Sequence, residues 1–157
     1  MISWEERPRL LAHLLNPALL ALVIGTCATG YERGRHEPMP WVLVFIAAPL
    51  VLHGPSRRAL PRNTRTHFST WIGRNPEILA GFPERVHGLA PRVREGLRYG
   101  IRNGVISIDN ESVHSSLVEP NPQARLDDLV RAARLVGRWL AKLDRPSTAY
   151  ALLGVTP

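Results

Sequence analysis

The side chains that could do chemistry are six histidines, a set of serines and one cysteine. The histidines, at positions 13, 36, 53, 67, 87 and 114, include no H-x-x-x-H pair of the kind that binds zinc from a helix. No serine lies in a G-x-S-x-G turn, and the sequence contains no G-x-x-x-x-G-K-[ST] phosphate-binding loop. His67, beside a cluster of arginines, is the strongest catalytic candidate, but a lone histidine in a basic loop is usually structural. We therefore predict no catalytic residue, no metal, no cofactor and no enzyme activity.

The patterns of cysteine and of carboxylate residues also indicate no catalytic or metal site. Cys27 is the only cysteine and lies in an apolar run, which excludes a disulfide framework and a cysteine metal site and predicts a buried, inert thiol. The adjacent acidic pairs Glu5-Glu6 and Asp127-Asp128 lie at the starts of segments. Helix capping explains such pairs better than acid–base catalysis does.

The net charge of +7 is concentrated in the middle third of the 157 residues. Between Arg57 and Arg102 there are ten arginines and three glutamates, whereas the rest of the chain is balanced. Of the 20 basic residues, 19 are arginine. This bias could reflect selection for forked contacts to carboxylate or phosphate, or a codon preference of the genome.

A basic, hydroxyl-rich connector, residues 57–76, forms the centre of this region. Its arginines are the first candidates for binding a partner or nucleic acid: Arg57, Arg58, Arg62, Arg65 and Arg74. Such a connector can meet a phosphate backbone or an acidic protein, or it can be a solvated linker. If it binds, charge reversal at Arg57 and Arg58 should abolish binding without unfolding the chain.

Residues 8–56 form an apolar part with two uncharged runs, 10–31 and 38–56, separated by a charged loop, 32–37. The first run is long enough to span a bilayer, so a two-helix membrane hairpin is an alternative. However, Asn16-Pro17 is typical of a helix start and would leave a helix of about 12 residues, too short to span. We favour buried core helices and, without a recognisable secretory signal, a cytoplasmic protein.

Residues 77–120 are predicted to form helices followed by a β-hairpin. After a short helix that ends at Gly73, Asn75-Pro76 is predicted to start another helix. Apolar residues then recur at helical spacing from Ile78 to Ile101. Because Pro83 and Pro91 interrupt this stripe, it predicts two or more helices or a kinked one. Asn103-Gly104 is a helix stop, and the β-branched residues that follow surround an Asp109-Asn110-Glu111 turn.

A helix followed by a hairpin outlines a winged-helix unit. Such units often bind DNA, and here the phosphate-binding candidates would be Arg94, Arg98 and Arg102. They serve equally well in protein–protein contacts, and an exposed basic face can simply keep a protein soluble.

Residues 121–157 are predicted to form a C-terminal helix, capped at Asn121-Pro122, and an apolar tail. Gly137 and Ala141 make a flat strip that another helix could approach closely. An apolar chain end frays unless it is packed, so the tail should pack on its own domain or on a partner. The candidate partner-docking residues are Gly137, Trp139, Tyr150, Leu152 and Leu153. The whole chain is thus predicted to be one mainly α (α+β) domain with a small hairpin in a winged-helix-like arrangement.

Three segments carry a resemblance to a known family. They are NPALLALVI (16–24), APLVLHGPSRRALPRNTRTHFSTWIGRNPE (48–77) and ARLVGRWLAKLDRPSTAYALLGVTP (133–157). Together they resemble the middle component of the three-component ABC systems of bacteria. The resemblance runs from about residue 16 to the end, with the Leu60-Pro61 connector and the LLGVTP tail as its most specific parts. Arg145-Pro146-Ser147 departs slightly from the expected small-residue-Pro or Ser-Pro step.

The resemblance implies a partnership rather than a reaction. Such proteins are accessory subunits encoded beside an ABC ATPase and a third, effector-like protein, in systems associated with conflict or defence against phages and plasmids. By this analogy the chain is an adaptor between the ATPase and the third component. A nucleic-acid-binding winged-helix protein that uses residues 57–102 is the alternative, and a two-helix membrane protein is a lesser one.

Overall fold

A computed structural model describes residues 16–117 and 126–156. This part of the chain is mainly helical, with a small antiparallel sheet. The helices have the following bounds: α1 Pro17–Arg35, α2 Val44–Leu52, α3 Gly54–Ala59, α4 Phe68–Arg74, α5 Pro76–Leu79, α6 Phe82–Arg102, α7 Asp127–Leu140 and α8 Pro146–Leu152. The strands are β1 Met39–Pro40, β2 Ile106–Asp109 and β3 Ser112–Ser115, and a 3₁₀ turn covers Trp41–Leu43.

Helix α1 is the centre of the fold. Asn16 caps it by accepting a hydrogen bond from the backbone N–H of Ala18 (2.8 Å), and Pro17 occupies the first turn, so the predicted start is confirmed. The helix packs against α2, α6, α7 and β3. It is longer than predicted, because the charged residues 32–35 form its last turn and His36 ends it in the left-handed conformation (φ 61°). The prediction of a loop over 32–37 is therefore wrong for most of that segment.

The described parts of the two apolar runs, 16–31 and 38–56, lie mostly in the interior. Side chains from α1, α2, α6, α7 and the tail join one hydrophobic core, in which Cys27, Ile46, Leu50 and Val136 are fully buried. Among the described residues, no helix combines the length and the apolar character needed to cross a membrane.

One predicted helix end is wrong, and the predicted division of the apolar stripe is confirmed. Gly73 does not end α4: the helix continues to Arg74, and Gly73 is not among the described residues with positive φ. The apolar stripe predicted from Ile78 to Ile101 is divided between α5 and α6, with Pro83 in the first turn of α6 and Pro91 inside it. Ile101, the last member of the stripe, is 47% exposed.

The hairpin is confirmed, but the sheet has one more strand than predicted. Helix α6 ends at Arg102, and Gly104 takes a positive φ of 71°, as a helix stop requires. Strands β2 and β3 pair around a turn in which Asn110 and Glu111 both have positive φ. Strand β1 pairs with the other edge of β3 in the register Met39↔Val113, which gives the order β1-β3-β2. The helix-then-hairpin order holds, while the winged-helix arrangement stays a prediction.

The C-terminal part closes the core. Helix α7 carries Asp127 and Asp128 in its first turn, as predicted. The tail packs on the chain itself, since Ala149, Leu153 and Val155 are buried. The predicted helix start at Asn121-Pro122 lies outside the described residues.

Candidate interaction surface

The basic connector is fixed on the core rather than loosely solvated. Its Phe68 and Trp71 rings form one cluster with Trp139 of α7, with centroids 4.9 Å and 5.1 Å from the Trp139 ring. The indole N–H of Trp139 donates to the carbonyl oxygen of Thr66 (2.8 Å), and that of Trp71 donates to Ala59 (2.7 Å). Lys142 Nζ donates to the Thr64 carbonyl (2.6 Å). Buried aromatic rings with satisfied N–H groups hold a chain segment firmly, so the connector backbone is preorganised.

Histidines cap the two short helices of this region. His53 Nδ1 accepts a hydrogen bond from the backbone N–H of Ser56 at the start of α3 (3.3 Å) and lies 2.7 Å from the Ser56 hydroxyl. His67 makes the same pair of contacts with Ser69 at the start of α4, at 3.3 and 2.8 Å. His67, the residue most suggestive of catalysis in the sequence, is thus an N-cap, which is a structural role.

His53 also lies in a strongly positive environment. Its pKa is lowered from the ordinary value of 6.5, first by burial and then by the charges of Arg85, Arg58 and Arg57. A neutral ring is what the cap requires, because Nδ1 can accept the Ser56 N–H only when it carries no proton. The neighbouring arginines therefore favour the capping form of the ring.

Arg57 is a structural arginine. Its Nε donates to Asp128 Oδ2 (2.9 Å), and its terminal nitrogen donates to the carbonyls of Val51 (2.8 Å) and Leu52 (3.3 Å). These carbonyls belong to the last turn of α2, which has no intrahelical partners for them. Charge reversal at Arg57 would remove these contacts and place a carboxylate opposite Asp128. The expectation that Arg57 can be reversed to test binding alone is therefore not supported by its contacts.

Two other arginines seal helix ends in the same way. Arg35 donates to the carbonyls of Ala141 (3.3 Å) and Leu143 (3.0 Å), just beyond the end of α7. Arg85 donates to Ile78 (2.7 Å) and Ala80 (3.2 Å) at the end of α5. Sequence reasoning missed this role, because nothing in the local pattern shows which arginine reaches a helix end elsewhere in the chain.

The other candidate arginines are exposed: Arg58, Arg62, Arg65, Arg74, Arg94, Arg98 and Arg102. Arg94 lies over the ring of Phe45, with its guanidinium carbon 5.7 Å from the ring centroid. In the described part of the chain, the ion pairs of side chains involve other arginines, 35, 57, 92 and 131. The sequence thus grouped two classes of arginine that the structure separates.

A cleft of about 450 Å³ lies between the connector and α7. Leu60, Pro61 and Leu135 give it an apolar floor, and Arg57, Arg62 and Arg131 give it positive charge. Asp128 faces Arg57, and Asp127 pairs with Arg131. These two ion pairs offset the charges of Arg57 and Arg131, so the cleft suits a partner segment with an acidic group near Arg62 and an apolar group beside it.

The candidate docking residues of the C-terminal part are used inside the chain. A Cβ atom on Gly137 would lie 2.1 Å from the carbonyl oxygen of Cys27, so α1 crosses α7 in close contact at this point. The predicted close helix approach is confirmed, and the helix concerned belongs to the same chain. Trp139 and Leu153 are each 1% exposed, Leu152 is half-buried, and the Tyr150 hydroxyl donates to the Val42 carbonyl (2.7 Å). A partner could dock at Gly137, Trp139 or Leu153 only if these internal contacts opened first.

Cys27 is buried, as predicted, and burial raises the pKa of its thiol to about 12. A thiol with such a pKa is neither a nucleophile nor a metal ligand at neutral pH. Within residues 16–117 and 126–156, no group of three histidine, cysteine, aspartate or glutamate side chains is placed to hold a metal ion.

Comparison with known proteins gives the family. The family model described as ABC-three component (ABC-3C) system Middle Component 3 matches residues 4–157. Comparison with curated proteins and with solved structures found no match. The matched range includes the connector, the hairpin and the tail, and so extends beyond the three segments that carried the resemblance. The chain therefore belongs to the middle component 3 family of ABC-three component systems.

Proposed function

We propose that this protein is a non-catalytic adaptor subunit that links an ABC ATPase to a third, effector-like component in a bacterial conflict or defence system. The observation that carries the proposal is the family match over residues 4–157, which makes the chain the middle component of a multi-component system. A middle component needs partners, and an adaptor must present surfaces of fixed shape to them.

The anchored connector supplies such a surface. Because its backbone is held by Trp71 and Trp139, the exposed Arg58 and Arg62 project from a rigid frame. Binding to a preorganised surface loses less conformational entropy than binding to a flexible linker. The adjacent cleft adds apolar area to the charge, which favours a protein segment over a simple ion.

Co-purification tests the proposal. The tagged protein is co-expressed with the ATPase and the third protein encoded beside it, and is purified at low and at high salt with nuclease present. Recovery of both proteins under all conditions is expected, because apolar contacts persist in salt while exposed charge pairs weaken. Failure to recover either protein would overturn the adaptor function.

A charge-reversal pair locates the contact. The Arg58→Glu/Arg62→Glu variant should lose at least one of the two proteins. The Arg138→Glu/Arg145→Glu variant makes the same change of net charge on exposed residues outside the connector and should keep both. If both variants retained the two partner proteins, the connector would be excluded as the contact. If both variants lost them equally, only net charge would matter.

A further inference from the structure

A row of arginines at four-residue spacing lies on the exposed side of α6. Arg94, Arg98 and Arg102 are four residues apart and all exposed, while Val93 and Leu97 on the opposite side of the helix are buried in the core. Four residues of α-helix rise about 6 Å, so the row spans about 12 Å. The packing of α6 thus fixes the backbone positions of three arginines in a row that turns about 80° around the helix axis.

These three side chains keep their charge available. Glu95, the acidic residue within this stretch of α6, accepts a hydrogen bond from Arg92 (2.9 Å). In the described residues, no carboxylate lies within 4.0 Å of a nitrogen of Arg94, Arg98 or Arg102. The ring of Phe45 under Arg94 orients that guanidinium without using its N–H donors. The row differs in this respect from Arg35, Arg57 and Arg85, whose donors face helix-end carbonyls.

Stabilisation of α6 does not explain the row. A cation near the C-terminus of a helix interacts favourably with the helix dipole, but the effect is confined to the last turn. It can therefore account for Arg102 but not for Arg94, which lies two turns earlier. Tyr99, beside Arg98, is 40% exposed and presents an aromatic ring at the flank of the row.

We propose that the row Arg94–Arg98–Arg102 binds the phosphodiester backbone of a nucleic acid. A regular line of forked cations is complementary to a regular line of phosphates, and such contacts need no base sequence. The exposed ring of Tyr99 can stack on an unpaired base. The contact is made by α6 and not by the hairpin tip, where the exposed Asp109 and Glu111 would repel phosphates. This binding goes beyond the adaptor function, which does not require nucleic acid.

The test is fluorescence anisotropy of labelled oligonucleotides titrated with the full chain at several salt concentrations, with duplex and single-stranded probes in separate arms. The Arg94→Gln/Arg98→Gln/Arg102→Gln variant is compared with Arg131→Gln/Arg138→Gln/Arg145→Gln, which removes the same charge from exposed positions outside residues 57–102. Thermal melts check that both variants are folded.

Each phosphate contact contributes a slope of about 0.9 to log K against log salt for duplex and about 0.7 for single strands. The α6 variant should therefore lose about 2 to 3 of the wild-type slope, and the control variant less than about 1. Binding in either arm supports the proposal, and the tighter arm identifies the form of nucleic acid. The proposal would be overturned if the wild type did not bind at low salt, or if the two variants lost the same amount of slope. It would also be overturned if polyglutamate competed with the labelled oligonucleotide as well as unlabelled oligonucleotide does. The last result would assign the row to an acidic protein instead.

Discussion

Replacing Gly137 by alanine should destabilise the fold, although alanine is the better helix former. The added Cβ would lie 2.1 Å from the Cys27 carbonyl oxygen, whereas real Cβ atoms essentially never approach an atom closer than 3.0 Å. Helices α1 and α7 must therefore separate by at least about 0.9 Å, and a gap of this size loses about a quarter to a half of the dispersion energy of the contacts it opens. A backbone carbonyl inside a helix cannot rotate away as a side chain would.

Two opposing terms set the size of the effect. Alanine gains about 1 kcal/mol over glycine in a helix interior, and overpacking of a buried position costs about 1–3 kcal/mol. A rigid clash falls at the upper end of that range, so the net loss of unfolding free energy should be about 2 kcal/mol. For a chain of this length such a loss lowers Tm by roughly 4–8 °C.

Urea unfolding and thermal melts followed by circular dichroism measure the change. Gly88→Ala is the matched control, because Gly88 is an exposed glycine within α6 and an added Cβ there meets nothing within 4 Å. The control should gain about 0.5–1 kcal/mol from helix propensity alone. If Gly137→Ala is stabilised to the same degree, the close crossing of α1 and α7 is wrong.

A second glycine tests whether the crossing acts as a unit. A Cβ on Gly30 would lie 2.5 Å from the Arg134 carbonyl oxygen, in the same interface between α1 and α7. Once one alanine has forced the helices apart, the other should cost less than it does alone, so the double variant should be less destabilised than the sum of the single ones. If the losses of unfolding free energy in the single variants add up to that of the double variant, the two glycines lie in contacts that respond independently.

The remaining predictions concern side chains that fix the helices and the connector. Arg35→Lys should lower the unfolding free energy by about 1–2 kcal/mol in urea titrations, because an ammonium group cannot reproduce the forked geometry, whereas the exposed Arg138→Lys should change it by less than about 0.5 kcal/mol. Trp139→Phe should cost about 1–3 kcal/mol and speed tryptic cleavage in the connector, since it removes the donor to the Thr66 carbonyl and leaves a gap in the aromatic cluster; unchanged cleavage would contradict the anchoring role. The lowered pKa of His53 means that the folded state resists protonation, so its contribution to stability is present above the ordinary pKa of 6.5 and is lost as the pH falls below it. Unfolding curves between about pH 7.5 and about pH 5 should accordingly show a steeper loss for the wild type than for His53→Asn, which keeps a capping side chain that does not titrate.

Local signals in the sequence predicted the elements that depend on local chemistry. The Asn16-Pro17 start, the Gly104 stop and the two-stranded hairpin were all predictable, because a cap, a positive φ and a polar turn each belong to the residues themselves. The end of α1 was not, because residues 32–35 have the composition of a polar loop. Arg35 is held in the helix by carbonyls beyond α7, more than 100 residues away along the chain.

The same reasoning explains the missed strand and the internal contacts of two candidate docking residues. Strand β1 contains two residues, one of them proline, and exists because Met39 pairs with Val113 of the hairpin. Gly137 and Trp139 showed the signature of a close, apolar contact, which was correct, but a sequence does not state whether the contacting surface belongs to the same chain. In this protein α1 and the connector occupy those positions.

The use of arginine shows why composition alone could not separate structure from binding. Arg35, Arg57 and Arg85 each donate to two backbone carbonyls at a helix end, whereas Lys142, the single lysine, donates to one carbonyl, that of Thr64. Arg85 reaches its two carbonyls from two terminal nitrogens, whereas Arg35 and Arg57 reach theirs from one terminal nitrogen and donate Nε to a carboxylate. A planar guanidinium can serve several acceptors from separate nitrogens, and an ammonium group on a flexible stem cannot do so as well. The contacts therefore favour arginine over lysine at these three positions, whatever the codon usage of the genome. The exposed arginines of the connector and of α6 have no such requirement from the fold, so a contact with a partner or with nucleic acid is the explanation to test for them.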